Sequence, residues 1–114
     1  MEAGEIYLQP AEMVYNAMLD VMELQNGTEM VSDSVCKKLD YTIMMYGFQW
    51  ELRFTVLSMD NNRCGVNLEI EETESGGDGE QGYLESMIKR EYALLDTMLL
   101  FGVSSEATYD KGGD

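Results

Sequence analysis

The middle of the chain alternates apolar and polar residues with the two-residue period of β-strands. The alternation gives each of two strands one apolar face: Trp50, Leu52, Phe54 and Val56 in residues 50–59, and Cys64, Val66, Leu68 and Ile70 in residues 64–72. The sequence DNNR at 60–63 is typical of a turn. These patterns predict an antiparallel hairpin with one apolar face and one solvent-exposed face.

The N-terminal half begins with a predicted strand, followed by a helix and further strands. Residues 4–9 (GEIYLQ) predict a short strand, after which Pro10 suits the first turn of a helix. Apolar residues at spacings of three and four continue this helix until Asn26-Gly27, which favours a helix end. Residues 28–46 are rich in strand-forming residues and predict one or two strands, with a break near residues 38–40.

A long amphipathic helix is predicted after an acidic, glycine-rich loop at residues 73–82. Its sequence, YLESMIKREYALLDTMLLFG, spans about five turns, and Gly102 favours its end. It carries an apolar stripe formed by Leu84, Met87, Ile88, either Glu91 or Tyr92, Leu95, Met98 and Leu99. We therefore expect a single domain at residues 1–102 and a flexible C-terminal tail at residues 103–114.

The order of these elements predicts an α+β fold. A strand and a helix are followed by three or four antiparallel strands and then by the long helix. A sheet with one apolar face needs a covering layer, and the last helix has the length and the apolar stripe to provide one. The chain has 114 residues, of which 45% are hydrophobic, which suits one domain with its own core.

The segment EIYLQPAEMVYNAMLDVMEL resembles the opening of the START and pollen-allergen-like superfamily, also called SRPBCC or polyketide cyclase-like. Pro10, Val14, Leu19 and Asp20 stand where members have a proline-containing turn and a helix that ends in an apolar segment. The order of elements extends this resemblance over residues 4–102. It implies a helix-grip fold, in which a curved antiparallel sheet, with a short N-terminal helix, grips a long C-terminal helix. With fewer strands than most members, the chain would be a short, divergent example.

The same resemblance implies a cavity for lipids, sterols or polyketides between the sheet and the C-terminal helix. The chain contains ten methionines, whose side chains adapt to irregular spaces and to different ligands. Six side chains are candidates to face this space: Met45, Trp50, Phe54, Met87, Tyr92 and Met98. Stripes at these spacings are also what a filled core requires, so the pattern is compatible with either a pocket or a core.

Histidine is absent from the chain, which contains only two cysteines. A Ser-His-Asp triad, a Cys-His pair and a histidine-ligated metal are therefore excluded, and the cysteines cannot complete a four-ligand zinc site. We expect no metal or other cofactor. We also expect Cys36 and Cys64 to be free thiols buried in strands, because nothing in the sequence indicates export.

The formal net charge of −15, from 7 basic and 22 acidic residues, opposes binding to nucleic acids and to anionic membranes. It is compatible with a basic protein partner. No apolar run is long enough to cross a membrane, so we expect a cytoplasmic protein without membrane insertion.

We expect non-catalytic binding of a hydrophobic small molecule, which the resemblance implies and which the absence of histidine favours over catalysis. The first alternative is an acidic protein-interaction module that resembles the dimeric secretion chaperones of bacteria. The second is an enzyme that uses tyrosine or carboxylate chemistry.

Overall fold

A computed structural model describes the backbone of residues 1–72 and 80–112 and the side chains of residues 1–72 and 83–100. Five strands and two helices follow one another in this order: β1 (Glu2–Tyr7), α1 (Ala11–Leu24), β2 (Thr28–Asp33), β3 (Lys38–Met45), β4 (Phe48–Asp60), β5 (Arg63–Glu72) and α2 (Glu80–Gly112). The predicted α+β fold, with a curved antiparallel sheet and two covering helices, is confirmed.

The five strands form one antiparallel sheet in the order β1-β5-β4-β3-β2. Strands β2 to β5 form a meander in which each strand pairs with the next one along the chain. Strand β1 pairs with β5, which is distant from it in sequence, and Glu2 lies opposite Glu69. The predicted alternation of β4 and β5 is confirmed, because their apolar sets are buried on one face of the sheet. We call this the inner face and the opposite one the outer face.

Both helices cover the inner face and also pack against each other. Helix α1 ends where its sequence predicts: Asn26 adopts a left-handed conformation with φ 57°, and the Gly27 amide donates to the Met22 carbonyl at 2.9 Å. The residues between the sheet and the two helices form one continuous hydrophobic core. The core therefore lies between the inner face of the sheet and the two helices.

The break between β2 and β3 lies at residues 34–37, earlier than the predicted break near residues 38–40. The Asp33 Oδ1 atom accepts hydrogen bonds from the Val35 amide at 3.0 Å and the Cys36 amide at 2.9 Å, which starts a turn at this point. As a result Cys36 lies in an exposed turn, and its predicted burial in a strand is wrong. Cys64 is buried as predicted, and both thiols are free.

The backbone of α2 continues to Gly112, beyond the helix end predicted at Gly102. One glycine lowers helix stability by only about 1 kcal/mol, so it does not end a helix by itself. The predicted flexible tail at residues 103–114 stays a prediction, and most of the predicted loop at 73–82 lies outside the described residues. Within the described part of the chain, neither helix is long and apolar enough to cross a membrane.

Candidate ligand site between the sheet and the C-terminal helix

All six side chains predicted to face the space between the sheet and α2 lie in that layer, where they belong to the core or pack against it. Trp50, Phe54 and Met87 have no surface that a water molecule could touch. Tyr92 is also buried, whereas Met45 and Met98 are half-buried. A ligand could reach the fully buried three only if side chains of the core moved, so their role in binding stays a prediction.

The polar atoms of Trp50 and Tyr92 are engaged by the backbone. The Trp50 Nε1 atom donates to the Met45 carbonyl at 2.8 Å. The Tyr92 hydroxyl donates to the Ala3 carbonyl of β1 at 2.6 Å and lies 3.2 Å from the Val66 carbonyl of β5. Tyr92 therefore fixes the middle of α2 to two neighbouring strands, and burial raises the pKa of its hydroxyl, which keeps it protonated.

Aromatic rings close the end of the layer near the turn between β3 and β4. The rings of Tyr46 and Tyr83 are stacked with their centroids 4.6 Å apart. The ring centroid of Phe48 lies 6.4 Å from that of Tyr83. It lies 6.2 Å from that of Trp50, and these two rings meet edge to face. These contacts attach the first described turn of α2 to the turn between β3 and β4.

A buried polar cluster, formed by Gln25, Tyr41 and Glu91, lies between α1, β3 and α2. The Glu91 side chain is fully buried, and its Oε1 atom accepts hydrogen bonds from Tyr41 Oη at 2.8 Å and Gln25 Nε2 at 2.7 Å. Burial raises the pKa of the Glu91 carboxyl, because the ionised form loses its hydration there. Burial and the nearby Glu91 also raise the pKa of Tyr41. The sequence left Glu91 and Tyr92 as alternatives for one stripe position, and both are buried.

Gly27 closes this cluster from the end of α1. A Cβ atom at this position would lie 2.8 Å from Met22 Cγ, 2.8 Å from Tyr41 Cδ2 and 3.2 Å from the Met22 carbonyl oxygen. We expect Gly27→Ala to lower the free energy of unfolding by about 1–3 kcal/mol through overpacking, measured by urea denaturation. Gly47→Ala is the contrasting case: its Cβ would meet nothing within 4 Å, and its cost would come from a positive φ of 81°, which Gly27 does not have. Equal stability of Gly27→Ala and the parent protein would contradict the close packing.

The C-terminal end of β1 lies beside α2. A cavity of about 430 Å³ lies there, lined by Tyr7, Gln9, Asp96, Leu99 and Leu100. We call it the β1–α2 cavity. The Tyr7 hydroxyl donates to Asp96 Oδ1 at 2.9 Å, and burial followed by the Asp96 interaction raises the pKa of Tyr7, which stays a protonated donor. None of the six predicted residues lines this cavity.

The arrangement of strands and helices is that of known helix-grip proteins. The chain has the helix-grip fold. It is similar to Ara h 8.0201, with a TM-score of 0.66 and 11% identity over 91% of this chain and 97% of that one. It is also similar to a START superfamily protein from Mycobacterium smegmatis, with a TM-score of 0.56 and 10% identity over 83% of this chain and 92% of that one.

A third similar structure is the di-domain ARO/CYC StfQ from the steffimycin biosynthetic pathway, with a TM-score of 0.59 and 12% identity. The match covers 87% of this chain and 43% of the StfQ chain, so this helix-grip domain spans less than half of StfQ. No protein-family model and no curated protein matches the sequence. At these identities the comparisons establish the fold, and the fold inferred from the opening segment is confirmed.

The β1–α2 cavity combines apolar walls with a few polar groups, as ligand sites commonly do. Leu99 and Leu100 supply apolar surface, while Tyr7, Gln9 and Asp96 supply a hydroxyl, an amide and a carboxylate. Among the described residues, no group of three or more histidine, cysteine or acidic side chains is placed to hold a metal ion.

Proposed function

We propose that this helix-grip protein binds a hydrophobic small molecule of the lipid, sterol or polyketide type, without converting it, between the sheet and α2. The observation that carries the proposal is the β1–α2 cavity, which lies where the end of β1 meets α2. Its volume of about 430 Å³ is within the range of roughly 300–1,000 Å³ of ligand pockets.

The polar groups of the cavity define how such a molecule would lie. The apolar part would contact Leu99 and Leu100, and a hydroxyl or amino group would hydrogen-bond to Asp96 or Gln9. Tyr7 already donates to Asp96, so a ligand donor would share that carboxylate. A longer apolar tail would extend toward Met98, whose flexible side chain is half-buried and can change rotamer.

Binding without turnover is supported by the residues available for catalysis. The chain contains no histidine, and the fully buried Glu91 is occupied by two donors inside the core. StfQ, which shares the fold, is a di-domain ARO/CYC from a biosynthetic pathway, so the fold is compatible with chemistry. Mass spectrometry of the bound molecule before and after incubation separates the two roles, because a binder returns it unchanged.

The proposal is tested by titrating delipidated protein with a fatty acid, a sterol and a polycyclic hydroxylated aromatic compound. We expect at least one of them to shift the backbone NMR signals of Tyr7, Gln9, Asp96 and Leu99. Native mass spectrometry of freshly purified protein should show a co-purified molecule of the same class. If no compound shifts these signals and no molecule co-purifies, the proposal is wrong.

The cavity wall provides a matched pair of variants. Leu100 is an exposed leucine of α2 that lines the cavity, and Leu24 is an exposed leucine of α1 outside it. We expect Leu100→Ser to weaken binding by about threefold to tenfold, since it removes apolar contact worth about 1 kcal/mol, and Leu24→Ser to leave the affinity unchanged. Equal effects of the two substitutions would place the ligand elsewhere. Both variants should keep the circular dichroism spectrum of the parent.

A further inference from the structure

A second, larger cavity lies on the outer face of the sheet, away from the helices. Its volume is about 730 Å³, and it is lined by residues of β1, β4 and β5, among them Gly4, Ile6, Leu57 and Gly65. We call it the outer-face depression. Strand register explains its form, because Gly65 lies opposite Ile6 of β1 on one side and Leu57 of β4 on the other. The depression therefore has a glycine floor between two apolar walls.

The fold itself does not require glycine at the floor. Gly65 and Gly4 lack the positive φ that favours glycine. A Cβ atom at Gly65 would have one neighbour within 4 Å, Ile6 Cδ1 at 3.7 Å, which is an ordinary contact. Glycine inside a strand lowers stability and often marks a place where another molecule approaches the backbone closely. The floor of the depression is consistent with such an approach.

The walls of the depression are apolar on a face that faces solvent. Ile6 is 61% exposed and Leu57 is 71% exposed. Leu8 and Met59, at the ends of the same strands, are exposed as well. The outer face of a two-layer antiparallel sheet normally carries polar residues. An exposed apolar patch with a cavity between its members is typical of an interaction site.

The charges around the depression indicate the chemistry of its occupant. Glu2 of β1 and Glu69 of β5 lie opposite each other on the outer face, next to the pair formed by Gly4 and Asn67 in the depression. The nearby cations are partly neutralised within the chain: Arg53 pairs with Glu51 at 2.9 Å, and Arg63 pairs with Asp60 at 2.8 Å. A second copy of a chain with net charge −15 would be repelled. A basic partner would be attracted.

We propose that the outer-face depression docks a basic segment of a partner protein, with one bulky apolar side chain seated over Gly65 between Ile6 and Leu57. Lysine or arginine residues that flank this side chain meet Glu2 and Glu69. The docking surface lies on the opposite side of the sheet from the β1–α2 cavity. The protein can therefore hold a small molecule on one side and a partner on the other, and either role can fail without the other.

The test uses short synthetic peptides with one central leucine, methionine, phenylalanine or tryptophan flanked by lysines. A control set carries glutamates in place of the lysines. We expect at least one lysine peptide to shift the NMR signals of Ile6, Leu57 and Gly65, with an affinity that falls as salt concentration rises. The glutamate peptides should cause no shifts.

Two substitutions in the depression and one matched control complete the test. Gly65→Thr fills the floor, and Leu57→Ser removes a wall; each should weaken peptide binding at least fivefold, in line with the loss of one apolar anchor. Met44→Ser removes an outward methionine that is 65% exposed at the distant end of β3, and should leave binding unchanged. Gly65→Thr should also raise the melting temperature by about 2–6 °C.

Several outcomes would overturn the proposal. One is that no lysine peptide binds, and another is that the shifts lie outside β1, β4 and β5. A third is that Gly65→Thr and Leu57→Ser bind as tightly as the parent protein. Self-association that Leu57→Ser abolishes, measured by light scattering, would assign the depression to a second copy instead. If Gly65→Thr folds poorly, Leu57→Ser tests the same contact at an exposed position.

Discussion

Trp50→Ala is expected to lower the free energy of unfolding by about 3–5 kcal/mol. Trp50 is the largest side chain with no exposed surface, and it lies near the start of β4, the middle strand of the sheet. Its removal leaves a cavity that the surrounding strands cannot close, and it also leaves the Met45 carbonyl without the indole donor. Because small domains are stable by about 5–15 kcal/mol in total, the variant should be largely or partly unfolded at 37 °C.

Denaturant titration followed by circular dichroism measures this effect. Trp50→Phe serves as the control, since it keeps much of the apolar volume and removes only the hydrogen bond to Met45, and it should lose about half as much stability or less. The result also bears on the ligand site. A Trp50 that lined an empty pocket would tolerate truncation, so a loss below about 1 kcal/mol would show that the space beside it is not filled.

The stability of the parent protein relative to Glu91→Gln is expected to fall as pH rises above about 4.5, the ordinary pKa of a glutamate. Burial raises the pKa of Glu91 in the folded state, so the folded protein binds this proton more tightly than the unfolded chain. The contribution of the Glu91 proton to the free energy of unfolding is fully present below the pKa of the unfolded chain. It is lost as pH rises through the pKa of the folded protein. Between these two pKa values, the difference in the free energy of unfolding between the parent protein and Glu91→Gln changes by up to about 1.4 kcal/mol per pH unit.

The comparison with Glu91→Gln isolates this one group. Other acids titrate in the same range, among them Asp20, whose pKa is also raised by burial, but they are common to both proteins and cancel in the difference. Urea denaturation of both proteins between pH 4 and pH 8 gives the two profiles. Tyr41→Phe removes a donor that stabilises the ionised carboxyl, so it should extend the window upward. Parallel profiles of parent and Glu91→Gln would show that the folded and unfolded pKa values are equal.

Most of the fold follows from short-range patterns in the sequence. The alternation in β4 and β5 identifies their buried faces, because a strand with one wet face must place every second residue in the core. The end of α1 follows from Asn26 and Gly27, which tolerate the conformation of a helix cap. The turn between β2 and β3 lies earlier than the strand pattern predicts, because it is defined by hydrogen bonds that Asp33 Oδ1 accepts from the Val35 and Cys36 amides in the folded backbone.

The polar features of the site were harder to predict, for reasons that can be named. Glu91 occupies an apolar stripe of α2, and only the partners Gln25 and Tyr41, 66 and 50 residues away, explain why a carboxyl is buried there. The contact between Tyr7 and Asp96 spans 89 residues and depends on how α2 crosses β1. The alternation of residues in the predicted first strand places Ile6 and Leu8 on the same face of that strand. It does not indicate whether the helices cover that face, so the sequence does not predict the outer-face depression.

The pairing of β1 with β5 has a consequence for the order of folding. Strands β2 to β5 can pair with neighbours as soon as each hairpin is made, but β1 has no partner until β5 exists, because Glu2 pairs with Glu69. Contacts of such long separation close slowly, since the loop entropy is lost before they form. The hydrogen bond from Tyr92 to Ala3 then joins α2 to β1. Completion of the sheet and docking of the long helix on its edge are therefore late events, and an unfinished chain exposes the edge of β5.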